Sequence, residues 1–510
     1  MLKKESDIVA TITSVASGQW GTAGTWDSGV PVDGDTVIIT ASHRVIFNAD
    51  QSGFANGLAN LEINGILSFR RNKNTYLKMN GNITGTGQLI VASEGGIITS
   101  GLSLVEGKSY TYKYTGVTFG VGDYAIVEDV INNYETLEEV NSINEVELTP
   151  GSYFIDVANN TTYVHYPDGS DPTSKIRLTS CVQRAATGTE SRCQIVLKDG
   201  NINVAMIKLL GWYHESEYTT ISSNANAGQN QIVLTEDLGF QQGDKLIIGC
   251  GEVIGQLTET AKGIYTVTAY DPETKIVTLS SNLETDRLEG DYVAQINRTI
   301  KLTRTGTPSP LIYADIDDGM IIGANIEGKG IYPISKSSLE NWKLKHCSCN
   351  SYISYKLKNS EIQDIVSYNG GTTAAFANTS SGENEIINNI SINSLMTNYE
   401  KNIIKNSVSQ NSYVNRHTTS ATHYLDCIIK NPKGDALNYG GKFSRCVFEG
   451  DEINCSVSSM IASFNDCEFK NNLTGWLSGV YGKLNNCLFE NVEIWDYDSD
   501  YKNQWEGIES

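Results

Sequence analysis

Nine five-residue blocks ending in Asn or Gly recur between Ala324 and Asn491. They are 324–328, 346–350, 365–369, 389–393, 407–411, 427–431, 446–450, 467–471 and 487–491, so their ends fall 18 to 24 residues apart. A repeat near twenty residues, built from a short β run and a bend, cannot bury its apolar face alone. It must stack on copies of itself, which predicts a solenoid. Asn and Gly tolerate the left-handed backbone region, so the block ends predict one bend recurring up the stack. Strands that precede such a bend lie parallel, about 4.8 Å apart.

Alternation along a strand then sends the first and third block residues inward. In the last four blocks these are Cys427/Ile429, Cys446/Phe448, Cys467/Phe469 and Cys487/Phe489, a thiol column beside a mostly aromatic one. The fourth residue points out and alternates in sign as Lys430, Glu449, Lys470 and Glu490, so neighbouring coils attract. The fold class expected is all-β, a right-handed parallel β-helix, with the hand set by strand twist. The middle blocks fit less well. Asn389, Ser391, Ser407 and Ser409 would face in, and Ile390, Ile392 and Val408 out. Either the register slips by one there, or that outer face packs on something else.

The 510 residues carry a formal charge of −21, and the only adjacent basic pairs are Lys3-Lys4 and Arg70-Arg71. Nucleic-acid and anionic-membrane binding need basic clusters, so neither partner is expected. The first seven residues contain no apolar core of a secretory signal, and no apolar run reaches 18 residues, so no membrane span is expected. Ten cysteines without a CxxC pair, four of them in an inward column, read as reduced, buried thiols.

Upstream, short β runs alternate with Gly and Asp turns. Trp20-Gly-Thr-Ala-Gly-Thr-Trp26, Val30-Pro-Val-Asp-Gly-Asp35, His43-Arg-Val and Ile63-Asn-Gly-Ile-Leu-Ser-Phe69 follow in order. This series resembles the eight-glycine domain of animal hyaluronan-binding and hyaluronan-degrading surface proteins and of microbial and phage β-helix proteins. The resemblance covers about 17–93, resumes more loosely over 192–301, and weakly includes a pectate-lyase-like β-helix. It implies an N-terminal segment (1–16), an eight-glycine-type β domain (17–102), an inserted β subdomain (103–180) and a continuation (181–305). The β-helix (306–494) and a cap or docking tail (495–510) follow. Gly34-Asp35, Gly122-Asp123 and Gly243-Asp244 each precede an apolar strand, and turn chemistry explains them better than metal binding.

Hyaluronan-degrading members of the family carry Tyr-Pro-Ile-His-Phe-His at the start of the helix. This chain reads Tyr332-Pro-Ile-Ser-Lys-Ser337, so both histidines are absent and activity resting on them is not expected. The six histidines are scattered, and His214-Glu-Ser-Glu217 lacks the second histidine of a zincin. The densest acidic knot, Asp315-Ile-Asp317-Asp318, lacks the spacing of a calcium loop and reads as a turn into the helix, with a cation as the alternative. No catalytic residue and no cofactor are assigned. Trp476, Tyr481, Trp495, Tyr497, Tyr501 and Trp505 are the candidates for stacking on sugar rings, and the last four serve equally as a cap.

The layout resembles phage tail-spike and tail-fibre proteins. That implies a homotrimeric virion component, made in the host cytoplasm without a signal peptide, whose partners are other virion proteins and a host surface polysaccharide bound without cleavage. A polysaccharide depolymerase or lyase, and a purely architectural adaptor, are the alternatives.

Overall fold

The computed structural model describes residues 10–70, 74–92, 98–116, 124–131, 135–181, 193–211, 217–249, 263–298, 300–306, 310–327, 329–332, 334–336, 339–350, 357–368, 385–387, 389–392, 395–396, 403–410, 413–414, 423–430, 441–449, 462–470, 474–476, 483–490 and 493–495. The fold is a parallel β-helix, right-handed as strand twist requires. Three long faces run through it. The first has seven strands from Thr11–Thr13 to Lys329–Tyr332, and the second fourteen from Gly18–Gln19 to Lys483–Asn485. The third has twelve, from Thr75–Met79 to Leu488–Phe489. The first two coils carry strands of the first two faces only, and from Asn60 on the coils take the faces in that order. Beyond Tyr332 the place of the first face is held by short pairs such as Thr474–Trp476 with Glu493–Trp495.

The coils begin at Thr11 and not at residue 306. Thr36–Ile39, Asn60–Ile63 and Ile83–Thr84 lie in the same ladder as Pro310–Tyr313, so the segment that resembles an eight-glycine domain forms the first turns of the same helix. Its glycines have a steric cause. A Cβ on Gly87 would lie 1.9 Å from the carbonyl oxygen of Gly65 in the coil before, and one on Gly200 would lie 1.8 Å from that of Gly81. These corners are too tight for any side chain. Trp20, Trp26 and Phe47 are buried edge-to-face at the first coils, with Trp20 4.9 Å from each of the other two rings.

Two excursions interrupt the coils, both at the corner between the second and third faces and in successive turns. The first leaves after Gln88–Ala92 and returns at Cys193–Leu197, and the second leaves after Met206–Leu210 and returns at Ile300–Arg304. The first holds a five-stranded and a three-stranded sheet around Val127, Tyr153, Val164 and Ile176. The second is a six-stranded antiparallel sheet formed between Tyr218 and Gln295, with its own core around Leu246, Val267 and Val293. Sequence reading folded this second sheet into the 181–305 continuation.

That second sheet settles the middle coils. The register does not slip: Val366, Ile390, Val408, Ile428 and Val447 pair in one unbroken column. Val366, Tyr368, Ile390, Ile392 and Val408 do point out of the helix, and they are buried against Ile247, Ala294 and Ile296 of the excursion. The inward positions beneath them carry Asn389 and Ser407, which serve the backbone. Asn389 Oδ1 accepts from the Ile365 amide at 2.7 Å, and Ser407 Oγ donates to the Lys405 carbonyl at 2.9 Å.

In the later coils the expected columns stand. Cys427, Cys446, Cys467 and Cys487 are buried, as are Ile429, Phe448 and Phe469. Phe448 stacks on Phe469 at 4.8 Å, and Phe443 on Phe464 at 5.1 Å. Lys430 and Glu449 are in register, yet Lys430 Nζ reaches Asp291 of the second excursion at 3.4 Å. All seven described thiols are free and buried. Burial pushes those of Cys193 and Cys347 up to about 12, so they stay protonated and act as small hydrophobes.

A left-handed residue recurs at the start of the blocks, four or five residues ahead of the block ends where the bend was expected. Left-handed φ values between 51° and 54° occur at His346, Asp364, Asp426, Arg445, Asp466 and Asn486, each immediately before the first inward residue of its strand. Of the block ends, Asn350 is not left-handed; Gly328, Asn369, Asn393, Asn411, Asn431, Gly450, Asn471 and Asn491 lie outside the described residues. The block 346–350 is also set one residue early. Ser348 pairs with Val366, so Cys347 and not His346 starts the inward pattern. Side chains tie this column from coil to coil: Arg445 grips both carboxylate oxygens of Asp426 at 2.7 Å, and Asn486 donates to Asp466 at 2.7 Å.

Candidate functional site

The acidic knot sits on the bend that leads from the first face into the second. Asp315 accepts from the amides of Ile334, Ser335 and Lys336 at 2.9 to 3.1 Å and from the Ser335 hydroxyl. Desolvation pushes its carboxyl up, but the hydroxyl and the three amides together outweigh it and hold the group down at about 2. Asp317 pairs with Lys336 and accepts from the Glu340 amide at 2.9 Å. Asp318 is left-handed, with φ 57°, and accepts from Asn341 at 3.1 Å. The three carboxylates point at backbone and side-chain donors of the next coil, which is the chemistry of a bend. Ser335 stands where the hyaluronan-degrading family has its first histidine, and it is one of those donors. Pro333 and Ser337 lie outside the described residues. Among the described residues no group of three or more His, Cys, Asp or Glu is placed to hold a metal, and no helix is long and apolar enough to cross a membrane.

Of the aromatic candidates, Trp476 and Trp495 come together in the backbone. They are register partners on the parallel strands Thr474–Trp476 and Glu493–Trp495, so one stands directly above the other on adjacent coils. Tyr481, Tyr497, Tyr501 and Trp505 lie outside the described residues.

Sequence reading missed a buried charge cluster where the second excursion meets the helix. Glu217 lies at its start and Arg298 at its end. Their side chains form an ion pair, each about 2% exposed or less. Arg298 also donates through Nε to the His346 carbonyl at 2.6 Å and through Nη1 to the carbonyls of Gln295 and Asn297. The imidazole of His346 bridges outward, with Nδ1 3.1 Å from Glu217 and Nε2 3.7 Å from Asp364. His346 and Asp364 both belong to the left-handed column, so the cluster clasps the neck of the excursion to the corner of two coils. The signal was split between His214-Glu-Ser-Glu217, read as a broken zinc motif, and a lone histidine 129 residues later. Only the fold brings them together.

The molecule is thus a decorated parallel β-helix with an in-register tryptophan pair near its last coils. No known protein family matches the chain, and no curated protein does, so the eight-glycine likeness remains a resemblance. Solved structures that resemble it include three phage tailspikes. The gp54 tailspike of Acinetobacter baumannii bacteriophage AP22, in complex with A. baumannii capsular saccharide, is 13% identical over 59% of this chain and 63% of its own, with a TM-score of 0.21. The tailspike gp49 of Pseudomonas phage LKA1 is 11% identical over 59% and 64%, with a TM-score of 0.20. The tailspike gp61 of Pseudomonas phage phi297 is 10% identical over 84% and 71%, with a TM-score of 0.19. The chain spans slightly under two thirds of the first two. Scores and identities this low assign neither family nor function.

Proposed function

We propose that this chain is a virion component of tail-spike or tail-fibre type that holds a host surface polysaccharide without cleaving it. The observation that carries this reading is the register of Trp476 with Trp495. A tryptophan repeated in register from one coil to the next suits a repeating polymer, because stacking on aromatic rings is how saccharides gain affinity in shallow grooves. Tyr481, Tyr497, Tyr501 and Trp505 are the further candidates for sugar stacking on this reading.

Binding without cleavage is favoured because hydrolysis needs two carboxylates free to face each other across a glycosidic bond. The acids of the densest knot are instead engaged by the donors of Ile334, Ser335, Lys336 and Asn341. A homotrimer attached to other virion proteins completes the proposal, with no nucleic-acid or membrane partner.

The test is to incubate the purified protein with intact host capsule and measure retention and sugar release separately. Retention without release is expected, with the double variant Trp476→Ala/Trp495→Ala retained several-fold more weakly. Release of oligosaccharide would replace this reading with a depolymerase. No retention by any capsule, together with tight incorporation into particles, would replace it with an architectural adaptor. Light scattering returning the monomer mass would remove the trimer.

A further inference from the structure

Two stacked ring pairs belong to one face of the five-stranded sheet in the first excursion, which leaves the helix in its early coils. Phe154 and Tyr163 are register partners on the antiparallel strands Ser152–Asp156 and Thr161–His165. Their rings stack with centroids 6.2 Å apart and planes 17° apart. Their strand neighbours Tyr153 and Val164 alternate to the other face and enter the excursion's own core. Lys113, on the strand Tyr112–Tyr114, is in register with Tyr163 and exposed. The face therefore carries two rings and an ammonium group side by side.

His165 lies two residues beyond Tyr163 on the same strand, hence on the same face and about 7 Å along it. Its Nδ1 is 2.9 Å from the Val146 carbonyl of the short helix Ile143–Leu148, which fixes the imidazole. The Tyr110 ring lies flat against it, with centroids 5.1 Å apart and planes 5° from parallel. Glu147 ties down the Tyr110 loop, accepting from the amides of Ser109 and Tyr110 at 2.8 and 3.2 Å and from the Thr111 hydroxyl at 2.7 Å. Gly169 makes room for the ring, since a Cβ there would lie 3.0 Å from Tyr110 Cδ1. Tyr110 is nonetheless 49% exposed.

Cross-strand stacking accounts for Phe154 with Tyr163 as sheet stability. It does not account for Tyr110, a loop residue held by His165, Glu147 and Gly169 that still leaves half its surface in water. A ring already fixed in place loses little freedom when a second flat ring is laid on it. The C–H face of a sugar is such a ring, and the three donors of Lys113 suit its hydroxyl or carboxylate oxygens.

We propose that this face of the first excursion is a second saccharide-binding surface, taking one sugar of a polysaccharide on Tyr163 and a neighbouring one on Tyr110, with Lys113 donating to the first; calling the polymer a host surface polysaccharide rests on the attachment reading above. The test is to apply the intact chain to an array of short acid-released fragments of bacterial capsules, beside the intact capsules, and to read bound chain by fluorescence. At least one fragment is expected to bind. Tyr110→Ala, Tyr163→Ala and Lys113→Gln should each weaken it several-fold, and Tyr110→Ala/Tyr163→Ala about tenfold. Tyr110→Phe and Tyr163→Phe keep the rings and should bind as wild type does, and Trp476→Ala/Trp495→Ala should leave that fragment bound. Should Tyr163→Ala lower the melting temperature, Tyr110→Ala decides, because its ring lies outside the strands.

Unchanged binding in Tyr110→Ala, or equal loss in Tyr110→Ala and Tyr110→Phe, overturns the surface. Failure of every fragment, with assembly into particles lost in Tyr110→Ala, overturns it in favour of a contact with another virion protein. Capsule retained equally by wild type and Tyr110→Ala/Tyr163→Ala, with no fragment bound, overturns this surface alone. Fragments bound through Tyr110 while no intact capsule is retained overturn the attachment reading alone.

Discussion

His346 Nδ1 lies 3.1 Å from a carboxylate oxygen of Glu217, across 129 residues of sequence. The same carboxylate meets Arg298, so three charged or chargeable groups close the neck of the second excursion. Removing one member of a buried pair strands the other, a cost of about 3–5 kcal/mol, whereas removing both is far cheaper. Glu217→Gln and Arg298→Met are each expected to raise amide exchange across 218–296, and the double variant to exchange less than either single one. Hydrogen-exchange mass spectrometry reads this directly. Additive effects of the two substitutions would show that the pair does not hold the neck.

Ile390 and Val447 occupy the same outward column of the third face, but only Ile390 lies under the second excursion. Ile390→Ala should therefore cost about 2–4 kcal/mol, as for a core position. Val447→Ala, half-exposed beyond the cover, should cost under about 1 kcal/mol. Denaturant titration of both variants checks the contrast, and equal losses would mean that the excursion is not seated on the helix.

Arg445 is left-handed with φ 52°, and its guanidinium is bidentate on Asp426. Both side chains are well exposed, so the pair is worth no more than about 1 kcal/mol. Backbone strain sets the larger effect. Arg445→Gly loses the pair but relieves the strain, and should change stability by less than about 1 kcal/mol. Arg445→Val puts a branched side chain in the same conformation and should cost about 1–2 kcal/mol beyond the glycine variant. Equal stability of the two variants, by thermal denaturation, would show that the bend does not require the left-handed region.

Asp315 titrates at about 2 in the folded chain, below the ordinary carboxylate value near 3.9. A depressed folded pKa contributes stability that is complete above the unfolded value and fades as pH falls through the folded one. Asp315→Asn should therefore lower the melting temperature at pH 7, and the gap from wild type should narrow between about pH 4 and pH 2. A gap independent of pH across that window would show that the carboxylate's charge plays no part in the bend.

The helix itself was legible because its signal is periodic. Cys427, Cys446, Cys467 and Cys487 repeat in step with Phe448 and Phe469, and inward columns at a fixed period mark a solenoid. The left-handed column that the described residues show lies at the start of the blocks, where none was expected. Asn and Gly at block ends catch the eye, while the left-handed column mixes Asp364, Asp426, Asp466, Asn486 and His346 with Arg445, a type not enriched in that region, and so shows no single residue type. The outward run Val366, Tyr368, Ile390 and Ile392 could be noticed but not explained, because its cover lies between 218 and 296 and the pairing of the two surfaces leaves no periodic trace. Asp315 was correctly read as part of a turn, since acids beside Gly319 suit one. The clasp of Glu217, Arg298 and His346 was invisible, because isolated charges far apart in sequence carry no pattern until the coils bring them together.

The second excursion is written into the chain before the coils on which it rests. A ribosome releases Ile247, Ala294 and Ile296 more than sixty residues ahead of Val366, and more than a hundred ahead of Val408. The underside of that sheet is therefore made before the rungs that cover it. A strand slipped by one residue would turn its polar side toward that apolar surface.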